Sequence, residues 1–131
     1  MDWHIFKELH ILIVDDDPFT RELIVSMLKH IPNMTIHQAS DGEEAWELLS
    51  MHEYDMLLLD LYMPKMNGEA LVEKIKNSKK IECTSLIILM TTDRLSKREI
   101  EEIGAKVCLP KPFNFYVFEE TIYNLLSKGV A

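Results

Sequence analysis

The sequence offers little sulfur chemistry. Among its 131 residues there are two cysteines, Cys83 and Cys108, with no CxxC pair and no metal-ligand spacing. Each lies in or beside an apolar run, so both are expected to be reduced thiols of a cytosolic protein. Basic residues are scarce beside acids, 14 Lys and Arg against 22 Asp and Glu, for a formal net charge of -8. Nucleic-acid binding needs clustered basic groups to displace counterions, so this chain is not expected to bind nucleic acid unaided. No apolar stretch approaches the length needed to cross a bilayer. The N-terminal Met1-Asp2-Trp3-His4 lacks the basic region followed by an apolar one that marks a signal peptide. A cytoplasmic protein without membrane contact is the expectation. No repeat, low-complexity tract or linker divides the chain. It reads as a lead-in over 1–8, one domain over 9–127 and a tail over 128–131. A composition 47% hydrophobic and 27% charged can fill a core of two or three layers.

Two short apolar runs end in acids. Ile11-Leu12-Ile13-Val14 runs into Asp15-Asp16-Asp17, and Met56-Leu57-Leu58-Leu59 runs into Asp60. Continuous apolar segments of this length read as strands buried on both faces of a parallel sheet. Taken in order, strands are predicted over 9–14, 35–39, 54–59, 86–90 and 107–109. Residues 1–8 lead in, with Trp3, Ile5 and Phe6 packing on the sheet edge or extending the first strand. Asp17-Pro18 starts a helix, with Asp as N-cap and Pro in the first turn. Its apolar residues are Phe19, Leu23, Ile24, Met27, Leu28 and Ile31, and Pro32-Asn33 stops it. Further helices follow over 43–51 (Ala45, Leu48 and Leu49 inward), from Asn67-Gly68 (Ala70, Leu71 and Ile75 inward, Lys74, Lys76 and Lys79 outward), over 96–103 with Gly104 as a left-handed cap, and over 114–126. Five successive βα units predict a doubly wound, five-stranded parallel α/β sheet in the order 2-1-3-4-5, a flavodoxin-like arrangement with helices on both faces. The switch point of such a sheet falls between strands one and three, where Asp15, Asp16 and Asp60 meet.

Three converging carboxylates repel, and a hard divalent cation relieves them. Oxygen ligands suit Mg²⁺, or Mn²⁺. A carboxylate beside such an ion can act as the nucleophile of a phosphoryl transfer and form an acyl phosphate. Donors for the phosphoryl oxygens stand at two further strand ends, the hydroxyl of Thr91 and the ammonium of Lys111.

Four segments carry a resemblance: ILIVDDDP over 11–18, LLLDLYMPKMNG over 57–68, LIILMTT over 86–92 and GAKVCLPKPF over 104–113. Together and in this order they resemble the receiver domains of two-component response regulators. The resemblance implies that Asp60 accepts phosphate from a histidine kinase or histidine phosphotransfer protein. It implies that Asp16, Asp60 and the backbone carbonyl of Tyr62 ligate Mg²⁺, with Asp15 acting through water. Thr91 and Lys111 would bind the phosphoryl group, and the bond before Pro112 would be cis. Output would pass to a downstream effector or to an output domain beyond the sequence, so the chain is expected to be either a stand-alone receiver or the first domain of a longer regulator. It departs from the family pattern at Cys108, where an aromatic ring is usual, at Thr92, which is usually smaller, and in a short stretch between Thr91 and Gly104. These departures predict kept phosphorylation chemistry and an altered output face. Tyr62, with Asp93 near the rim, is expected to shield the site from water and set the phosphate lifetime.

Each of these residues also has an ordinary explanation when taken alone. Asp15-Asp16-Asp17 reads as a turn and helix cap, Lys111 as a surface lysine, Thr91 as a strand residue. Their joint placement favours a site. Cys108 reads as a core residue, the scattered methionines as core filler, and the five histidines as surface or packing residues. Two other functions share part of this residue set. A haloacid-dehalogenase-type phosphohydrolase would need an acid two residues after its nucleophile, where Tyr62 stands, and room for a cap domain. A pseudo-receiver acting only as an interaction module has the altered output face in its favour and the intact acid set against it.

Overall fold

A computed structural model describes residues 1–63, 65–78 and 86–128. Cys83, Lys79, Pro64 and residues 129–131 of the tail lie outside the described residues. Strands and helices alternate: β1 (Leu9–Val14), α1 (Pro18–Leu28), β2 (Met34–Ala39), α2 (Gly42–Met51), β3 (Met56–Asp60), α3 (Gly68–Lys76), β4 (Ile87–Thr91), α4 (Lys97–Ile103), β5 (Val107–Pro110) and α5 (Phe115–Ser127). The strands pair in parallel in the order β2-β1-β3-β4-β5, the doubly wound topology that the alternation predicts. No described helix is long and apolar enough to cross a membrane.

The pleat divides the apolar residues between two layers. Ile11 and Ile13 of β1, Met56 and Leu58 of β3, and Ile88 and Met90 of β4 pack with α1 and α5. The residues between them, Leu12, Val14, Leu57, Leu59, Ile87 and Leu89, pack with α2 and α3. Each such burial stabilises the fold by about 1.5–3 kcal/mol before entropy is counted. Asp15 and Asp60 continue the first alternation and so belong to the α1/α5 side. Thr91 continues the second.

Every helix in this set opens with a side-chain cap. Asp17 accepts from the Phe19 N–H, Asp41 from Glu44, Asn67 from Ala70, Ser96 from Glu99 and Asn114 from Val117. Ser96 and Glu99 form a reciprocal capping box. A cap contributes about 1 kcal/mol. Because each cap follows a strand's carboxyl end, it also fixes where the βα loop ends.

The structure corrects several expectations. Trp3 does not extend β1. Trp3–Ile5 is a short 3-10 helix, and Trp3 and Phe6 stack with Tyr123 of α5 at ring separations of 5.1 and 5.9 Å. Trp3 also donates its indole N–H to Glu119 of α5 at 3.0 Å, and His30 shares that oxygen at 2.9 Å. In α1, Phe19 and Leu23 point to solvent although their spacing is helical, and only Ile24, Met27 and Leu28 are buried. In α3 it is Val72, not Ala70, that packs inward with Leu71 and Ile75. The third strand begins at Met56, and Tyr54 is buried beside it as part of the α2/α3 layer. Met56 and Met90 fill the core, whereas Met1 and Met51 are exposed.

Candidate functional site

The carboxyl ends of β1, β3, β4 and β5 converge. Asp15 is completely buried, Asp60 is 5% exposed, and Asp16 projects at the surface. One oxygen from each of these carboxylates lies within 4.8 Å of the others. Lys111, carried past the end of β5, places its Nζ 2.7 Å from Asp15 Oδ2 and 3.5 Å from Asp60 Oδ1. The Lys111–Pro112 peptide is cis. Asp60 Oδ1 also accepts a long bond, 3.4 Å, from the Tyr62 N–H.

The charge balance is uneven. Burial, and then the charge of Asp15, push the Asp60 carboxyl up to about 6, against the pull of the Lys111 ammonium. Burial alone would lower the Lys111 pKa. The hydrogen bond that Lys111 donates to Asp15 and the charges of Asp60 and Asp15 outweigh it, and the pKa is raised. So the lysine keeps its proton, while the Asp60 carboxyl gives its proton up less readily than an exposed aspartate. One ammonium does not neutralise three carboxylates. Their remaining repulsion and their all-oxygen donor set fit a hard divalent cation such as Mg²⁺ or Mn²⁺.

Thr91 is buried to 1% exposure, and its Oγ accepts the Asp93 N–H at 3.1 Å. A hydroxyl that accepts in this way still has a proton to donate. Above the site, the exposed Tyr62 hydroxyl donates to Asp93 Oδ2 at 2.7 Å, so a side-chain bridge joins the loops after β3 and β4. The Asp93 carboxylate raises the Tyr62 pKa and keeps the phenol protonated. Cys108 lies apart from this group. It is half-buried on the α4 side, its thiol pushed up by burial, beside a cleft of about 300 Å³ lined by Asp93, Arg94, Leu95, Ile100 and Pro110.

Sequence reading missed three supports. Arg21, one turn into α1, donates to the Asp15 carbonyl at 2.6 Å and to Gln38 at 3.3 Å, and so ties the loop after β1 to β2. Nothing marks this arginine in the sequence. Gly68 seemed only to open a helix. A Cβ there would meet the Asp60 carbonyl oxygen at 2.6 Å, so the start of α3 can approach the acid only without a side chain. Its N–H closes the loop onto the Leu61 carbonyl at 3.0 Å. The third is the pairing of Lys111 with Asp15, the closest ion pair of the site.

Comparison with known proteins decides the family. The model of the response regulator receiver domain matches residues 11–123. The chain belongs to that family. A chemotaxis protein CheY homolog of Campylobacter jejuni is 33% identical over 125 residues, covering 92% of this chain and 95% of its own length. Among solved structures, the chemotaxis response regulator CheY4 of Vibrio cholerae superposes with a TM-score of 0.81 at 26% identity, covering 91% of this receiver and 99% of that chain. The signal receiver domain of a histidine kinase from Syntrophus aciditrophicus does so with a TM-score of 0.79 at 30% identity, covering 93% and 92%. The protein is thus a CheY-like receiver of two-component signalling, a signalling module in a family whose other members include free-standing chemotaxis regulators and domains of larger kinases.

Proposed function

We propose that Asp60 is the phosphoacceptor of this receiver, taking a phosphoryl group from a phosphohistidine of a histidine kinase or phosphotransfer protein in the cytoplasm. The observation that carries this reading is the placement of Lys111, whose ammonium lies between the buried acids Asp15 and Asp60. An Asp60 oxygen attacks phosphorus, the bond from phosphorus to the donor imidazole nitrogen breaks, and the imidazole leaves as it takes up a proton. Asp15, Asp16, Asp60 and the Tyr62 backbone carbonyl would hold Mg²⁺ or Mn²⁺. When bound, the ion supplies positive charge to the phosphoryl oxygens. Lys111 supplies a second positive charge. The Thr91 O–H, free to donate, meets a third oxygen by a charge-assisted bond.

Phosphorylation adds roughly -1.5 to -2 charge at the strand ends. Drawing Thr91 toward that charge pulls on Asp93, whose N–H it accepts, and through Asp93 on Tyr62. The loop after β4 leads into α4, so the perturbation travels toward the face where Cys108 replaces the family's aromatic ring. Shifting a two-state surface from 1:99 to 99:1 takes about 5.5 kcal/mol of differential stabilisation. Without the ring, that energy must come from the loop and from α4. The altered face contacts a downstream effector or output domain. The Tyr62–Asp93 bridge restricts the approach of water and lengthens the phosphate lifetime.

The test is intact mass after exposure to a small acyl phosphate, with and without Mg²⁺. A gain of one phosphoryl group that requires Mg²⁺ and disappears in Asp60→Asn is expected. No gain by the folded native chain, from this donor or from a phosphorylated histidine phosphotransfer protein, would leave only an interaction module.

A further inference from the structure

The histidines of this chain are far apart in sequence, yet the fold collects two of them. His37 lies on β2, the edge strand, and faces the α2 layer through the same alternation that buries Ala39. His52 is the C-cap of α2. Their rings meet at a centroid separation of 5.0 Å with planes at 67°. Imidazoles that share one tetrahedral Zn²⁺ at Zn–N distances near 2.0–2.1 Å have centroids about 5 Å apart. The centroid separation of the pair, that of two rings in edge contact, matches the separation around a shared ion.

Tyr54 completes the group, its ring 5.6 Å from that of His37 and 6.2 Å from that of His52. His37 Nδ1 is engaged by the Tyr54 hydroxyl at 2.7 Å, and that phenol is buried to 3% exposure. A hydrogen bond at one ring nitrogen fixes the orientation of the ring and directs the other nitrogen, Nε2, to a metal. His52 is exposed, so an ion can reach the pair from solvent.

We propose that His37 and His52 form a second metal site, oriented by Tyr54 at the β2 edge, for a borderline divalent cation of the Zn²⁺, Ni²⁺ and Cu²⁺ class. Water fills the other coordination positions. The imidazole donors distinguish it from the all-oxygen carboxylate pocket at the strand ends, which prefers a hard ion. The proposal does not depend on phosphorylation of Asp60.

Zn²⁺ titration of the chelator-stripped chain by calorimetry tests this, with excess Mg²⁺ present to occupy the carboxylates. One equivalent should bind, and NMR should show the imidazole resonances of His37 and His52 shifting together. His52→Gln, at an exposed position that cannot compromise the core, should weaken Zn²⁺ roughly tenfold or more, and Tyr54→Phe should weaken it by a smaller factor through loss of ring orientation. Equal Zn²⁺ affinity in His52→Gln and the native chain overturns the site. So does Zn²⁺ that excess Mg²⁺ displaces, because such an ion sits on the carboxylates.

Discussion

The two sides of the acidic pocket are built very differently. On the α1/α5 side, α5 spans thirteen residues and buries Phe118, Ile122 and Leu126, Arg21 ties down the loop after β1, and Glu119 binds both the N-terminal segment and the end of α1. On the α4 side, α4 has seven residues, none of them buried, and β5 has four, of which only Leu109 is buried. Its order rests on a capping box, the Gly104 cap and a few partly buried contacts such as Leu95 and Ile100. The acids belong to the firm side and Lys111 reaches them from the end of β5, while Thr91, Asp93 and Cys108 lead to the light one. A charge placed between them finds one wall that resists and one that yields. Under the proposed phosphorylation of Asp60, the chemistry would stay constant while the face that reports it varies.

The largest expected effect breaks the firm side. Lys111→Met leaves Asp15 buried without its partner, and metal-free stability should fall by about 2–4 kcal/mol by denaturant titration. Mg²⁺ should restore part of the loss by supplying the missing charge. A loss under half a kcal/mol would mean that the ammonium is not what compensates the buried acid.

Asp60→Asn tests the same balance with the opposite sign. The folded carboxyl sits at about 6. An unfolded aspartate sits near 3.9, so as pH rises through this interval the unfolded chain gives up its proton first and the metal-free fold loses stability. At pH 7 the substitution should therefore stabilise the metal-free protein by about 1–3 kcal/mol, and the gain should vanish near pH 4. A gain that persists in acid would point to a packing effect and away from charge.

Three smaller effects sharpen the contrast. Amides of α4 should exchange with solvent faster than those of α5, since a helix with no buried residue opens without disturbing the core. Ser96→Ala should widen that gap by about 1 kcal/mol of local opening free energy while the exchange of α5 stays fixed. If α4 and α5 exchange together, the two sides are one cooperative unit. Finally, Tyr62→Asn removes the bridge to Asp93, and the aspartyl phosphate should hydrolyse several-fold faster. An unchanged decay rate would show that the bridge does not govern water access.

Much of this arrangement was legible in the sequence because it follows from period and punctuation. Uninterrupted apolar runs ending in Asp15, Asp60 and Thr91 could only be buried strands, and Asp17-Pro18, Ser96 and Gly104 marked helix ends by their own chemistry. The contacts that cross between elements were not legible. Phe19 and Leu23 fit a helical stripe, but α1 meets its neighbours over a narrower arc, so both remain in solvent. Ala70 was assigned to the wrong side of α3, and Val72 was not singled out, because the phase of a short helix depends on how it docks. Trp3 reaches across 116 residues to Glu119, and no local pattern announces such a partner. The His37–His52 pair was invisible for the same reason, since it exists only where a strand and a helix end meet.

The position of Trp3 has an optical consequence. The chain has two tryptophans, one on each side of the sheet. Trp3 is sealed among Phe6 and Tyr123 on the α1/α5 side, while Trp46 lies partly exposed on the α2/α3 side with the Lys74 ammonium 4.4 Å above its ring. Their emission should differ in colour, the sheltered indole bluer than the wet one. With Trp46→Phe, a single emitter would remain, wired by its own N–H to α5. Light from that one residue would then follow the helix behind the pocket in real time, without any label.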